Sequence, residues 1–238
     1  MKQFSNTYIF IFSLLMVVTV ATILSVVAMQ LQPMQKKNIE TNKKQNILLS
    51  LNIESTKDNA LEQYDKYITD SYVINSEGER VEGIDAFSVD LSKEIVKPIE
   101  ERRLPIYVGT VGDSTQYIIP VRGKGLWGPI WGYVSVEDDF NTIYGATFSH
   151  DSETPGLGAE IATKKFQNQF IGKKLFNEDG DFVSVEVKKG DADPQAAHEV
   201  DGISGGTITS NGVEDMLKDN IKYYLPYFNE HKKNNKSS

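Results

Sequence analysis

Hydrophobic residues follow two patterns along the chain: one unbroken run near the N-terminus, then short alternating runs. Residues 8–29 read YIFIFSLLMVVTVATILSVVAM and contain no charged side chain. A helix rising about 1.5 Å per residue would span roughly 33 Å over this run, enough for the ~30 Å hydrocarbon core of a bilayer. A buried core helix rarely lacks a polar face over such a length, and a cleaved signal peptide has a shorter apolar stretch. We therefore predict a retained transmembrane helix at 8–29 after a short flank at 1–7.

Residues 30–60 are predicted to form a solvated juxtamembrane helix or stalk. Asn, Gln and Lys dominate residues 35–46, and Ile47, Leu48 and Leu51 recur at helical spacing. Pro33 is expected to break or kink the helix where it leaves the membrane.

The charges beside the anchor bear on its orientation. Lys2 and the α-amino group precede it, and a cluster of four lysines follows it at 36, 37, 43 and 44. Counted by the positive-inside rule, these charges would place the C-terminal domain in the cytoplasm, although long C-terminal domains translocate largely regardless of charge.

The shorter patterns over residues 61–230 predict one domain of mixed strands and helices. Strand-like runs occupy 72–75, 105–109, 117–121, 131–136 and 182–187, and the last alternates Val183, Val185 and Val187 with polar residues. Helices are expected at 159–169 and 211–228, the second capped by Ser210. Its apolar face comprises Val213, Met216, Leu217, Ile221, Tyr224 and Phe228. With a polar frayed tail at 231–238, the fold class is α+β: a single N-terminal transmembrane helix, a stalk and one α+β domain.

The composition of the chain argues against several kinds of partner and catalytic site. The net charge is −8, and Lys2 is the only charged side chain before Lys36, so the remainder carries −9. Nucleic acid is not an expected partner, because duplex binding relies on clustered Lys and Arg. The absence of cysteine excludes disulfides, thiolate metal sites and cysteine nucleophiles, and the presence of only three histidines argues against a catalytic metal.

Three glycine-rich segments are the candidates for binding. Residues 123–133 place four glycines and two tryptophans between two strands, where they would form an apolar wall or a wide hairpin that plugs the core. Residues 150–160 contain His150, Glu153 and the type II turn pair Pro155 and Gly156, which would open a helix or bind an anion. Glu153 and His150 would suit acid–base chemistry, but the segment supplies neither the nucleophile nor the metal that a hydrolase needs, so His150 is not assigned a catalytic role.

The third segment, residues 201–210, reads DGISGGTITS immediately before the C-terminal helix. Hydroxyl residues on a glycine loop at a helix N-terminus can cradle a phosphate, and a simple capped loop explains the same residues equally well. The segment is not a P-loop, because no Gly-Lys-Ser/Thr follows at the required spacing.

The same loop resembles the flavinylation motif Asp-x-x-Ser/Thr-Gly-Ala-Thr/Ser of proteins that carry FMN through a phosphoester to threonine. Together with residues 150–160 and the Gly-Leu-Trp-Gly stretch, the chain resembles the C-subunit family of the sodium-translocating NADH:quinone oxidoreductase, from the anchor to the final helix. One departure is Gly206, where the family usually has alanine.

The resemblance assigns expected roles residue by residue. Thr207 matches the threonine esterified to FMN, and Ser204, Gly205 and Gly206 match the loop that presents it. Thr209 is the competing hydroxyl, and Asp201 matches the acidic residue read by the flavin transferase that installs the cofactor. Further matches lie near the isoalloxazine ring in relatives: Thr154, Leu157, Gly158, Leu126, Trp127 and Gly128.

The resemblance implies an electron-transfer protein, carrying covalent FMN, within a six-subunit respiratory complex, with the NADH, iron, quinone and sodium sites on other subunits. It implies a single pass through the bacterial inner membrane with the domain 61–230 in the periplasm, against the lysine count. No residue is expected to act as an acid or base, and no metal is expected, since the flavin supplies the chemistry. The alternatives are the G subunit of the related Rnf complex and a membrane-tethered module that binds its ligand non-covalently.

Overall fold

The computed structural model describes residues 5–235, with side chains through Lys232. The chain divides into two compact units between Lys43 and Lys44. The domain therefore starts within the segment expected to be a stalk, because Ile47 and Leu51 are buried in a hydrophobic cluster with residues of the sheet.

A single long helix, α1 (Asn6–Ser50), opens the described chain and contains the predicted anchor. It is long and apolar enough to cross a membrane, with a mean hydropathy of 2.7 over its most apolar window. Of the break or kink expected at Pro33, the break is wrong, since the helix continues through this residue; the kink stays a prediction. A proline removes one backbone hydrogen bond but leaves the residues after it free to continue the helix.

The domain is built on a six-stranded antiparallel sheet in the order β2-β1-β3-β4-β5-β6. Its strands are β1 (Ile68–Ile74), β2 (Arg80–Val81), β3 (Leu104–Val111), β4 (Ser114–Lys124), β5 (Pro129–Val136) and β6 (Ile143–His150). Two short strands, β7 (Glu186–Lys188) and β8 (Glu199–Asp201), pair in parallel. The helices of the domain are α2 (Ala60–Tyr67), α3 (Leu91–Glu94), α4 (Lys164–Gln167), α5 (Thr207–Ile221) and α6 (Leu225–Asn235). The α+β fold class and the first four predicted strands are confirmed.

Both faces of the sheet are covered, as its alternating side chains require. On one face Val73, Tyr107 and Tyr133 pack with Ile47 and Leu51. The other face forms the larger core with the C-terminal helices, and the predicted apolar face of these helices is buried from Val213 to Phe228.

Three local predictions are wrong. Residues 182–185 are not strand, because Ser184 has a positive φ and only 186–188 pair with β8. The helix expected at 159–169 is divided into 3₁₀ turns at Gly158–Ala162 and Asn168–Phe170 on either side of α4. The expected frayed tail is helical as far as Asn235, and 236–238 lie outside the described residues.

The C-terminal helix begins at Thr207, three residues before the predicted cap. Ser210 lies inside α5, where its Oγ accepts a hydrogen bond of 2.9 Å from the Ile203 amide. The residue before the helix, Gly206, provides no side-chain cap. The hydroxyl of Ser210 therefore holds the preceding loop against the first turn instead of capping the helix.

Helix α5 packs directly on β4 through glycine and asparagine. A Cβ at Gly123 would lie 2.7 Å from the Cβ of Met216, and a Cβ at Gly212 would overlap the Lys124 carbonyl oxygen. Asn220 accepts from the Arg122 amide at 3.1 Å and donates to the Arg122 carbonyl at 3.0 Å. This close approach places the N-terminus of α5 beside the loop that follows β4.

Candidate functional site

The three glycine-rich segments meet at the N-terminus of α5. The Glu153 carboxylate accepts from the Trp127 amide at 2.8 Å and from the Thr209 hydroxyl at 2.5 Å, so it joins one residue from each of the other two segments. A Cβ at Gly205 would lie 2.7 Å from Leu157 Cδ2, and one at Gly206 would lie 3.2 Å from the Gly158 nitrogen. The segments that were separate in sequence therefore form one site.

Glu153 is the buried charge at the centre of this site, with 5% of its surface exposed. Burial alone would raise the pKa of its carboxyl, but hydrogen bonds from Thr209 and from the Trp127 and Gly128 amides, with the nearby His150, lower the pKa below its ordinary value. The carboxylate is therefore ionised at neutral pH. The Glu153 amide donates to His150 Nδ1 at 3.3 Å, so His150 contributes to the structure of this loop.

The two candidate threonines differ in exposure. Thr209 is 1% exposed, and its hydroxyl donates to Glu153. Thr207 is only partly buried, is the first residue of α5, and lines a cavity of about 240 Å³. The structure thus places Thr207 at a cavity wall and turns the Thr209 hydroxyl into the protein.

The cavity beside Thr207 is lined by apolar residues together with several polar ones and two lysines. Ser204, Gly205, Asn211, Lys188 and Lys189 all line it. Lys188 also pairs with Glu186 at 3.1 Å and with Glu199 at 3.6 Å. Ammonium groups and the N-terminus of a 15-residue helix favour a negatively charged group such as a phosphate.

Large apolar side chains are exposed on the segments around Thr207. They are Leu126, Trp127, Leu157 and Ile208, and Trp127 is the most open at 66%. Exposed apolar patches commonly mark binding surfaces. These side chains are therefore candidates for contact with the apolar part of a ligand.

The remaining predicted ring contacts lie in the backbone turns of the same site. The predicted type II turn is present, because Gly156 has φ +77° and the Leu157 amide donates to the Thr154 carbonyl at 3.1 Å. Thr154 is exposed and Gly158 is buried. Gly128 lies beside Ser152, whose Oγ would be 3.3 Å from an added Cβ.

Asp201 has a structural role in addition to the one expected from the motif. Its Oδ1 accepts from the Ala192 amide at 3.0 Å, and its backbone exchanges two hydrogen bonds with the Gln169 side chain. Sequence reasoning missed Gln169 and the lysines at 188 and 189. It also considered Glu153 only for acid–base work, because its partners lie 26 and 56 residues away along the chain.

Comparison with known proteins agrees with this geometry. Residues 125–222, which span all three segments except Gly123 and Lys124, match the family described as FMN-binding domain. Together with this match, the fold and the site define a protein with an FMN-binding domain, preceded in the chain by an apolar helix.

More specific matches cover most of the chain. The C subunit of the Na(+)-translocating NADH-quinone reductase from Haemophilus ducreyi is 34% identical over 207 residues, which are 80% of each chain. The crystal structure of the same protein from Parabacteroides distasonis has a TM-score of 0.77 and 45% identity, covering 83% of this chain and 96% of that one. NqrC from Shewanella oneidensis has a TM-score of 0.70 and 25% identity, covering 82% of this chain and 99% of that one. The chain belongs to the C-subunit family of the Na(+)-translocating NADH-quinone reductase, an oxidoreductase complex.

Proposed function

We propose that this chain carries FMN in phosphoester linkage to the Thr207 hydroxyl and transfers electrons within a sodium-translocating NADH-quinone reductase. The observation that supports linkage at Thr207 is the difference in exposure between the two threonines. Thr207 faces a cavity at the start of α5, whereas Thr209 is buried and bonded to Glu153. Both family membership and the FMN-binding domain support the flavin itself.

The chain's own residues would hold the cofactor by its two ends. Lys188, Lys189 and the first turn of α5 favour the phosphate, and Leu126 and Leu157 offer apolar surface to the ring. When bound, FMN accepts electrons and passes them on, while the protein determines its position and electrostatic environment.

Attachment is a group transfer without oxidation or reduction. The Thr207 oxygen forms a bond to the phosphorus of an activated flavin phosphate, a phosphoanhydride, and the bond from that phosphorus to its leaving nucleotide breaks. The hydroxyl proton passes to a base of the flavin transferase, since no described side chain is shown bonded to the Thr207 hydroxyl to accept it. Asp201 and the exposed Ser204 are the residues proposed for recognition by that enzyme.

The test of the linkage is co-expression with a matching flavin transferase. The full chain should retain one FMN after denaturation, mapped to the peptide that contains residues 204–210. Thr207→Ala should lose the adduct, and Thr207→Ser should keep it, because serine preserves the hydroxyl. Flavin that is released on denaturation of the wild-type chain would instead indicate a non-covalent binding module.

The proposed partners are the other subunits of a six-subunit complex, with the domain on the periplasmic side of the inner membrane. An alkaline phosphatase fused after residue 43, at the boundary between the two units, should be active. An inactive fusion, with a cytoplasmic reporter active at the same point, would mean that the lysine cluster determines the orientation. Co-purification of the native complex distinguishes these partners from those of the related Rnf complex.

A further inference from the structure

Glu153 is a buried carboxylate that the attachment chemistry does not require. Both of its oxygens are engaged: Oε1 accepts from the Trp127 amide and Oε2 accepts from the Thr209 hydroxyl. Burying a carboxylate costs free energy unless it is fully hydrogen-bonded. A buried charge at this position therefore points to a role for Glu153 in the site.

The carboxylate is enclosed closely by backbone. A Cβ at Gly125 would lie 2.5 Å from Oε1, and a Cβ at Gly158 would overlap Oε2 and lie 2.5 Å from the Thr209 Oγ1. Only glycine leaves room for the carboxylate at these two positions. The Glu153 carboxylate is therefore held between Gly125 and Gly158 while it bonds to Trp127 and Thr209.

The bond to Thr209 acts on the first turn of α5. Residues two apart in a helix are rotated by about 200° around its axis, so Thr207 and Thr209 point to nearly opposite sides. The bond between Glu153 and Thr209 draws one side of the turn into the protein, which leaves the other side, with Thr207, at the cavity.

We propose that Glu153 is a positioning residue for flavin attachment: by holding Thr209 inward and the Trp127 segment in place, it presents the Thr207 hydroxyl to the transferase. The inference rests on the proposed function, because it concerns the same site. It assigns to Glu153 no contact with the reacting atoms.

The experiment measures the rate of adduct formation at Thr207 in the full chain with purified transferase and its flavin donor. Glu153→Ala should slow attachment at least about tenfold, the effect of losing one hydrogen bond to a charged group. Glu153→Gln should recover most of the rate, because the amide oxygen can accept from Trp127 and the amide nitrogen can donate to Thr209 Oγ1. Asp151→Ala, which removes an exposed carboxylate that accepts from the Ser152 hydroxyl, should react as the wild type does.

A variant destabilised elsewhere in the domain distinguishes a positioning role of Glu153 from a general effect on stability. Phe228→Leu removes packing from the core of the C-terminal helices and should lower the melting temperature without slowing attachment. If Glu153→Ala does not fold, Thr209→Val is measured in its place, because valine keeps the shape of threonine and removes the hydroxyl donor.

Attachment at the wild-type rate in Glu153→Ala or in its replacement, or slowing no greater than that of Phe228→Leu, would overturn the inference. A wild-type chain that never acquires covalent flavin would refute the proposed function instead, so the two failures are distinguishable.

Discussion

Replacing Gly212 with alanine should destabilise the domain, although helix propensity alone predicts the opposite. Gly212 lies inside α5, where the helix crosses β4. The added Cβ would overlap the Lys124 carbonyl oxygen and would lie 3.3 Å from the Lys124 carbonyl carbon and 3.5 Å from Ile130 Cδ1. The first two contacts are with backbone, which cannot rotate away, so the helix itself must move.

Two effects of opposite sign determine how much Gly212→Ala changes the stability of the domain. Alanine in place of glycine favours a helix interior by about 1 kcal/mol. Overpacking a close-packed contact costs about 1–3 kcal/mol, and contact with backbone places this substitution near the upper end. The expected net loss is about 1–2 kcal/mol, which corresponds to a melting temperature lower by roughly 2–8 °C for a domain of this size.

Thermal unfolding of residues 44–238, followed by circular dichroism, measures this loss. Asn211→Ala is the matched control, because it makes a similar propensity gain at the neighbouring exposed position of the same helix. The control should melt at or slightly above the wild-type temperature. A Gly212→Ala protein that melts with the control, or above the wild type, would refute the close-contact reasoning.

Three further predictions concern polar contacts and the anchor. Asn220→Ala should lower the free energy of unfolding by about 2–4 kcal/mol in urea titrations, because it leaves the Arg122 amide and carbonyl without their partner. The stability advantage of the wild type over Glu153→Gln should be present at pH 7. It should decrease as the pH falls below about 4.5, the ordinary carboxyl pKa, towards the lowered folded-state pKa; an advantage unchanged at pH 3 would contradict the ionised carboxylate. Residues 44–238, made without the apolar helix, should stay in the supernatant after ultracentrifugation, and membrane binding without partner subunits would reveal a second membrane-binding surface.

Part of this architecture could be predicted from the sequence because it depends on local periodicity. An uncharged run at 8–29 specifies a long apolar helix whatever follows it. The apolar positions from Val213 to Phe228 specify the buried face of the C-terminal helices, since 3.6-residue periodicity is a property of the sequence alone. The Thr207 motif was also recognisable, because its residues are contiguous.

Strand β6 could not be predicted in the same way. It contains Gly145 and Ala146, which give little strand propensity, and it forms because β5 supplies its hydrogen-bonding partners from Ile130↔His150 to Val136↔Ile143. The start of α5 was misplaced for a similar reason. Ser210 has the side chain of a cap, but tertiary structure directs its hydroxyl to the Ile203 amide.

The sequence by itself determined which segments are apolar, which positions face a core and which loop bears the threonine proposed as the flavin acceptor. Only the tertiary structure decided that three glycine-rich segments meet around the Glu153 carboxylate, and that Thr209 is buried while Thr207 faces a cavity. The physical reason is that hydrogen bonds to a buried charge depend on distance in space. Trp127 lies within reach of Glu153 because β5 pairs with β6, and Thr209 does so because α5 packs on β4.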